Sequence, residues 1–250
     1  MEWYFVIAVV GVGFVAGFIN TVAGGGSVLA LPMLMFLGLP ANVANGTNRV
    51  AILLQSMVGV GLFQQKKIFS LKTDYKLALP AMAGSLAGAL LAVEIHTALL
   101  EKIIGGVMVL MLLTVLVNPE AWIKGRAGAI VAKPTATQYL IFFLIGFYGG
   151  FIQVGVGFFL LAGLVLGCGY DLVKANGIKL FIVLLYTVVA LAIFFAGRQV
   201  DVVSGLTLAV GNMAGAWAGA RFTIRGGAKY VRYVLILALL LMILKLFNIF

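Results

Sequence analysis

The stretch GFINTVAGGGSVLALPMLMFLGLPANVANGTNRVAI, residues 17–52, decides how this chain is read. It opens in the tail of an apolar tract that begins near Trp3, breaks at Ala23-Gly24-Gly25-Gly26-Ser27, and resumes as a short apolar arm to about Leu37. Tracts of about 20 apolar residues match the length a helix needs to cross ~30 Å of hydrocarbon at ~1.5 Å per residue. Three glycines in succession free backbone N–H and C=O groups that hydrocarbon cannot satisfy, so the break must face protein, water or a solute. The arm then starts with exposed N–H groups and the positive end of a helix dipole, a setting that suits an anion.

The same stretch ends in Asn45-Gly46-Thr47-Asn48-Arg49, set in a helical segment predicted over about 43–63. Asn45, Asn48 and Arg49 stand at i, i+3 and i+4 and so share one face. A guanidinium facing lipid at that depth would cost at least ~2.5 kcal/mol, so Arg49 is expected to face the interior.

Outward from this stretch the composition agrees. Of 250 residues, 64% are hydrophobic and only 10% charged, which leaves too little polar surface for a soluble domain. Runs such as VLILALLLMILKLF (234–247) do not alternate, which disfavours a β-barrel. The chain is expected to be all-α, a polytopic membrane protein with broken helices and about 8–10 transmembrane segments. The net charge of +10 lies mostly in short connections, where it reports topology rather than nucleic-acid binding. The single cysteine, Cys168, cannot form an internal disulfide, and no Cys/His cluster offers a metal or cofactor site. The N-terminus lacks a basic n-region and reads as a retained helix.

Further spans are predicted near 76–93, 99–117, 172–196, 201–220 and 230–248, with a second broken tract over 139–166 interrupted by Gly155 and Gly157. Three blocks recur in order: GFVAGFIN (13–20) with GFYGGFIQ (146–153), ANGTN (44–48) with ANGIK (175–179), and GSLAGA (84–89) with GNMAGA (211–216). They divide the chain into a first transmembrane repeat (1–117), a linker (118–137) and a second repeat (138–250). Lysines crowd the connection at 65–76 but not its counterpart at 197–201. Arginine and lysine crowd 221–232 but not 94–102. Equivalent loops then face opposite compartments, the pattern of inverted-topology repeats.

The duplication pairs Asn45 with Asn176, Asn48 with Lys179 and Asn20 with Gln153, and leaves Leu180 at the position of Arg49. Each half offers one deep cation beside an interior asparagine. With Asp171 the one acid near this cluster, the balance points to an anionic solute. Asp171 and His96 are the titratable candidates for coupling. Gln55, Ser85, Asn212 and Thr21 either line a path or bond a neighbouring helix.

The glycine break, the ANGTNR segment and the duplication together resemble the TauE/SafE-type sulfite exporter family over nearly the whole chain. The resemblance implies a multi-pass protein of the bacterial inner membrane that moves small sulfur-containing or organic anions, such as sulfite, thiosulfate or a sulfonate, with an ion gradient and a proton as candidate coupling ion. Carried onto this sequence it points to Gly24, Gly25, Gly26, Pro32, Asn45, Thr47, Asn48 and Arg49, and to Gly155, Gly157, Asn176 and Lys179. Ser27 and Gln153 join them as substrate-binding candidates from their place beside the breaks. The mechanism expected is alternating access, with the two halves rocking around a central site. A passive anion channel and a structural membrane protein are the alternatives. An enzyme would need a nucleophile and base or a metal set that one histidine and one cysteine do not provide.

Overall fold

The computed structural model describes residues 3–70, 75–100 and 134–246, with 227–246 as backbone alone. The first half gives α1 (Trp3–Val22), α2 (Ser27–Phe36), α3 (Ala41–Gln65) and, after a 3-10 turn at Tyr75–Leu77, α4 (Ala78–Glu94). The second gives α5 (Ala136–Phe151), α6 (Val156–Ala162) continued by a π turn at Gly163–Gly167, α7 (Leu172–Ala196) and α8 (Val202–Leu246). The protein is an all-α, polytopic membrane protein. Among the described residues, four segments are long and apolar enough to cross a bilayer: Trp3–Val22, Tyr75–Glu94, Leu172–Ala196 and Val202–Gly226. At 25 residues, α3 is as long as α7. Its Asn45, Thr47, Asn48 and Arg49 make it the less apolar of the two.

Both helix breaks fall where the glycines place them, at 23–26 and 152–155. The span expected near 99–117 and most of the 118–137 linker lie outside the described residues. One expectation fails: the loop at 221–232 is helical, and α8 runs unbroken from Val202 to Leu246. The segment contains no proline, and its two adjacent glycines, Gly226 and Gly227, cost about 1 kcal/mol each relative to alanine, which a long helix tolerates. Its basic residues therefore extend a helix and cannot be counted as a loop.

The packing exchanges helices between the sequence halves. α1 docks on α8 and α5 docks on α4. Both seams are glycine-lined and parallel. Gly211 and Gly215 lie against Val10, Phe14 and Phe18 of α1, while Gly13 and Gly17 lie against Leu208 and Asn212 of α8. Equivalently, Gly84 and Gly88 lie against Phe143, Phe147 and Phe151, and Gly146 and Gly150 lie against Ala81 and Ser85. Glycines spaced by four let helix backbones approach closely where lipid supplies no hydrophobic drive.

α3 also packs on α8, and α7 on α4. The described helices group as two bodies, each drawn from both sequence halves: α1, α2, α3 and α8 in one, α4, α5, α6 and α7 in the other, with α7 packed on α3 as extensively as on α4. Between them α3 crosses α7. Gly46 sits against Phe194 and Gln199, and Gly59 against Leu180, so these two helices run in opposite directions. The glycine of each Asn-Gly pair is a packing residue here. Gly177 makes room for the rings of Phe63 and Phe69 as Gly46 does for the backbone of Gln199.

Candidate functional site at the two helix breaks

A helix ends with four carbonyls that no intrahelical N–H can reach. In a membrane interior each of them needs another donor. At the end of α1 the first, Ile19 O, accepts from the N–H groups of Ala23 and Gly24 (2.7 and 3.0 Å). The other three are taken from the opposite body. Lys179 Nζ donates to Asn20 O (3.0 Å) and Thr21 O (2.8 Å), and Asn176 Nδ2 donates to Val22 O (3.1 Å).

The end of α5 is finished in the same way. Ile152 N donates to Tyr148 O (2.7 Å). Arg49 then donates through Nη1 to Gly149 O (2.9 Å) and through Nη2 to Gly150 O (2.6 Å), and Asn45 Nδ2 donates to Phe151 O (2.8 Å). A cation and an asparagine from each body cap the broken helix of the other, at the end where the helix dipole favours positive charge. Arg49 is 0% exposed and Lys179 1%, so neither snorkels to a membrane surface.

The two cations differ in what remains. All three ammonium protons of Lys179 are engaged, the third by Asn176 Oδ1 at 2.6 Å. Arg49 also bonds Gln153 Oε1 (3.2 Å) and lies with Cζ 4.6 Å from the centre of the Phe194 ring, but its buried Nε–H has no partner among the described residues. Gln153 passes the connection on, donating through Nε2 to the hydroxyl of Tyr186 (2.8 Å), and Ser85 Oγ donates to the backbone carbonyl of the same tyrosine (3.0 Å). Among the described residues, every hydrogen bond of both cations goes to a carbonyl or an amide oxygen and none to a carboxylate.

The remaining predicted residues sort by contact. The first break touches the first turn of α6: a Cβ on Gly24 would fall 2.5 Å from the Cα of Gly157, and Gly25 faces the Phe158 ring. Gly26 lies against the backbone of Ala16, which folds α2 back on α1. Gly155 starts α6 in the left-handed region (φ 69°). Gly157 is therefore a crossing point inside α6 and not part of the break. Asn48 Nδ2 donates to Ser27 Oγ (3.2 Å), joining α3 to the first turn of α2. Thr47 is turned away, its hydroxyl accepting from Asp201 N (2.9 Å) at the start of α8.

Asp171 lies apart from the two breaks. Its carboxylate caps α7 by accepting from Val173 N and Lys174 N, both at 3.0 Å. Asp171→Ala will lower thermal stability by about 1 kcal/mol, as loss of an N-cap does, and leave transport by the folded protein unchanged; a melting curve beside a flux assay checks this. His96 is exposed at the end of the α4 connection.

Sequence reading did not single out Tyr186, Phe194, or the carbonyls of Gly149 and Gly150. Tyr186 had a signal, since a phenol in an apolar helix wants a partner for its hydroxyl. The carbonyls had none, because every residue carries one.

A sequence profile described as "Sulfite exporter TauE/SafE" matches residues 9–246. The chain belongs to the TauE/SafE family. Among curated relatives, the "Probable membrane transporter protein YfcA" of Escherichia coli strain K12 is 30% identical over 237 residues, covering 94% of this chain and 87% of the relative. "Probable membrane transporter protein ORF9" of a Sinorhizobium species is 28% identical over 233 residues, covering 93% and 88%. A "Probable membrane transporter protein" of Haemophilus influenzae is 27% identical over 239 residues, covering 94% and 91%. No solved structure matches. Membership in the TauE/SafE family makes the protein a membrane transporter and not an enzyme, set with several passes in the bacterial inner membrane.

Proposed function

We propose that this TauE/SafE protein is a secondary transporter of small sulfur-containing or organic anions, of the sulfite, thiosulfate or sulfonate type, working by alternating access under an ion gradient. The observation that carries the reading is the pair of buried cations bonded to neutral oxygens alone. Two charges in a membrane interior without carboxylates leave a positive field, and a small anion entering between the bodies is the countercharge that lowers its free energy. Arg49 is the primary anion ligand, through the Nε–H that no group among the described residues uses. Gln153 bonds Arg49 directly, and Asn48 with the Ser27 it bonds offers further neutral groups, while Gly24, Gly25, Gly26, Gly155 and, in the first turn of α6, Gly157 provide backbone close to the solute. Asn45, Asn176 and Lys179 act on the anion through charge and through the helix ends they hold.

The bodies that rock are the two mixed bundles and not the two sequence halves. α1 and α8 are zipped across the repeats, as are α4 and α5, so the halves cannot part without breaking both glycine seams. The surfaces free to separate are those between α3 and α7 and at the two capped helix ends. The opposite directions of α3 and α7 support inverted-topology repeats 1–117 and 138–250 about this interface.

Uptake of radiolabelled sulfite, thiosulfate and methanesulfonate into proteoliposomes tests the substrate class. Saturable flux with at least one sulfur anion, competed by the others and not by equal chloride, is expected. Flux that rises linearly with concentration would indicate a channel, and preference for an unrelated organic anion would reassign the substrate.

A further inference from the structure

We propose that Lys179 is the proton-coupling residue of this transporter, and that proton and anion travel together in the same direction; this rests on the transport reading above. The donors and acceptors at the cradle match only the charged form. Lys179 Nζ faces three acceptors, Asn20 O at 3.0 Å, Thr21 O at 2.8 Å and Asn176 Oδ1 at 2.6 Å. An ammonium has three donors and fits this cradle fully, whereas a neutral amine has two donors and a lone pair that would meet a carbonyl. Arg49 cannot play this part, since a guanidinium keeps its proton at any physiological pH.

The cradle spans the two bodies: Lys179 and Asn176 belong to α7, and Asn20 and Thr21 to α1. Loss of the proton removes one bond and the attraction between ammonium and helix end, so the contact between the bodies is itself proton-dependent. Among the described residues, no acid bonds Lys179 to share or stabilise the charge. Among the residues described with side chains, the titratable groups on the elements packed on α7 are Tyr4 of α1, Arg49 of α3, Glu94 of α4, Tyr139 and Tyr148 of α5, and Arg221 and Arg225 of α8, while α7 itself carries Lys174 and Tyr186 beside Lys179; α6 and its π turn carry none. None of these bonds Lys179.

The sign of coupling follows from charge. A protonated Lys179 adds to the field that attracts the anion, and by linkage a bound anion favours the protonated lysine. Deprotonation then accompanies anion release: the N–H bond breaks, the electron pair stays on nitrogen, and the proton leaves to the water on the side where the site is open. The cycle carries one proton per lysine with each anion.

The test uses parent, Lys179→Arg and Lys179→Gln in proteoliposomes, with two readouts: equilibrium exchange of labelled sulfite at equal pH, and alkalinisation of a weakly buffered exterior when sulfite is added. The parent is expected to exchange and to alkalinise the exterior. Lys179→Arg, which keeps the charge but cannot lose a proton, is expected to keep exchange within about tenfold and to lose alkalinisation and accumulation driven by an acid exterior. Alkalinisation that persists in Lys179→Arg or Lys179→Gln, or sulfite entry without proton movement in the parent, would overturn the proposal while leaving anion transport intact. A parent that exchanges no sulfur anion would overturn the transport reading and the coupling with it. Should Lys179→Arg fail to fold, the pH dependence of labelled thiosulfate binding to the detergent-purified parent decides the question: affinity that falls as pH rises supports the proposal, and affinity that does not change with pH overturns it.

Discussion

Arg49→Ala will abolish anion flux and lower the stability of the protein by several kcal/mol. The truncation strips donors from Gly149 O, Gly150 O and Gln153 Oε1 together and leaves the end of α5 uncapped in a buried setting. A buried acceptor that loses its partner costs about 1–3 kcal/mol, and for a chain of this size a loss of that order from each of two or three groups lowers the melting temperature by about 10 °C or more. Asn45→Ala removes one neutral bond, to Phe151 O, and should cost only about 1 kcal/mol with flux retained in part. Thermal melts of purified protein beside labelled uptake distinguish the two. An Arg49→Ala variant that melts with the parent would mean that the cation does not cap α5.

Gly157→Ala will be as damaging by a different route. A Cβ at this position falls 2.8 Å from the carbonyl oxygen of Gly24 and closer still to its Cα, and both atoms are backbone, so no side chain can swing aside. Gly24→Ala meets the same wall from the other side and adds strain, since Gly24 holds φ 92°. Either change forces the first break and α6 apart and carries the capped helix ends with them. Flux should fall at least ~100-fold, with loss of monodisperse protein on gel filtration, a clash of this kind being worth about 1–3 kcal/mol or more. Gly61→Ala is the control, because nothing lies within 4 Å of a Cβ placed there, and it should behave as the parent. Normal flux in Gly157→Ala would remove the contact between the first break and α6 from the mechanism.

The features legible in the sequence are those written in residue type. Three glycines at 24–26 announce a break because hydrocarbon punishes free backbone, and Asn45 and Asn176, paired in the sequence, each cap the end of a broken helix. Burial of Arg49 and Lys179 followed from the cost of charge in lipid. What these cations bond was not legible, because their partners are main-chain carbonyls fixed by where α1 and α5 end. Asn48 and Lys179 align in the repeat, yet Asn48 holds Ser27 while Lys179 holds the end of α1, and it is Arg49, one position later, that holds the end of α5. Helix ends shift by a turn between repeats more easily than glycines move. The exchange of helices between halves was hidden for a related reason: Gly13, Gly84, Gly146 and Gly211 mark close seams without saying which seam joins which. The loop expected at 221–232 misled because positive charge marks a membrane surface equally well on a helix that continues through it.

The measurement closest to the central claim is equilibrium binding of labelled sulfite to purified parent and Arg49→Lys protein. Lysine keeps the positive charge and can reach the end of α5, but it has no donor at the position of the Nε–H. Saturable binding by the parent, weakened at least ~10-fold in a folded Arg49→Lys variant, about 1.4 kcal/mol, is the result expected if the free Nε–H holds the anion. Equal affinity in the two proteins would show that the anion binds elsewhere and that Arg49 serves the fold alone.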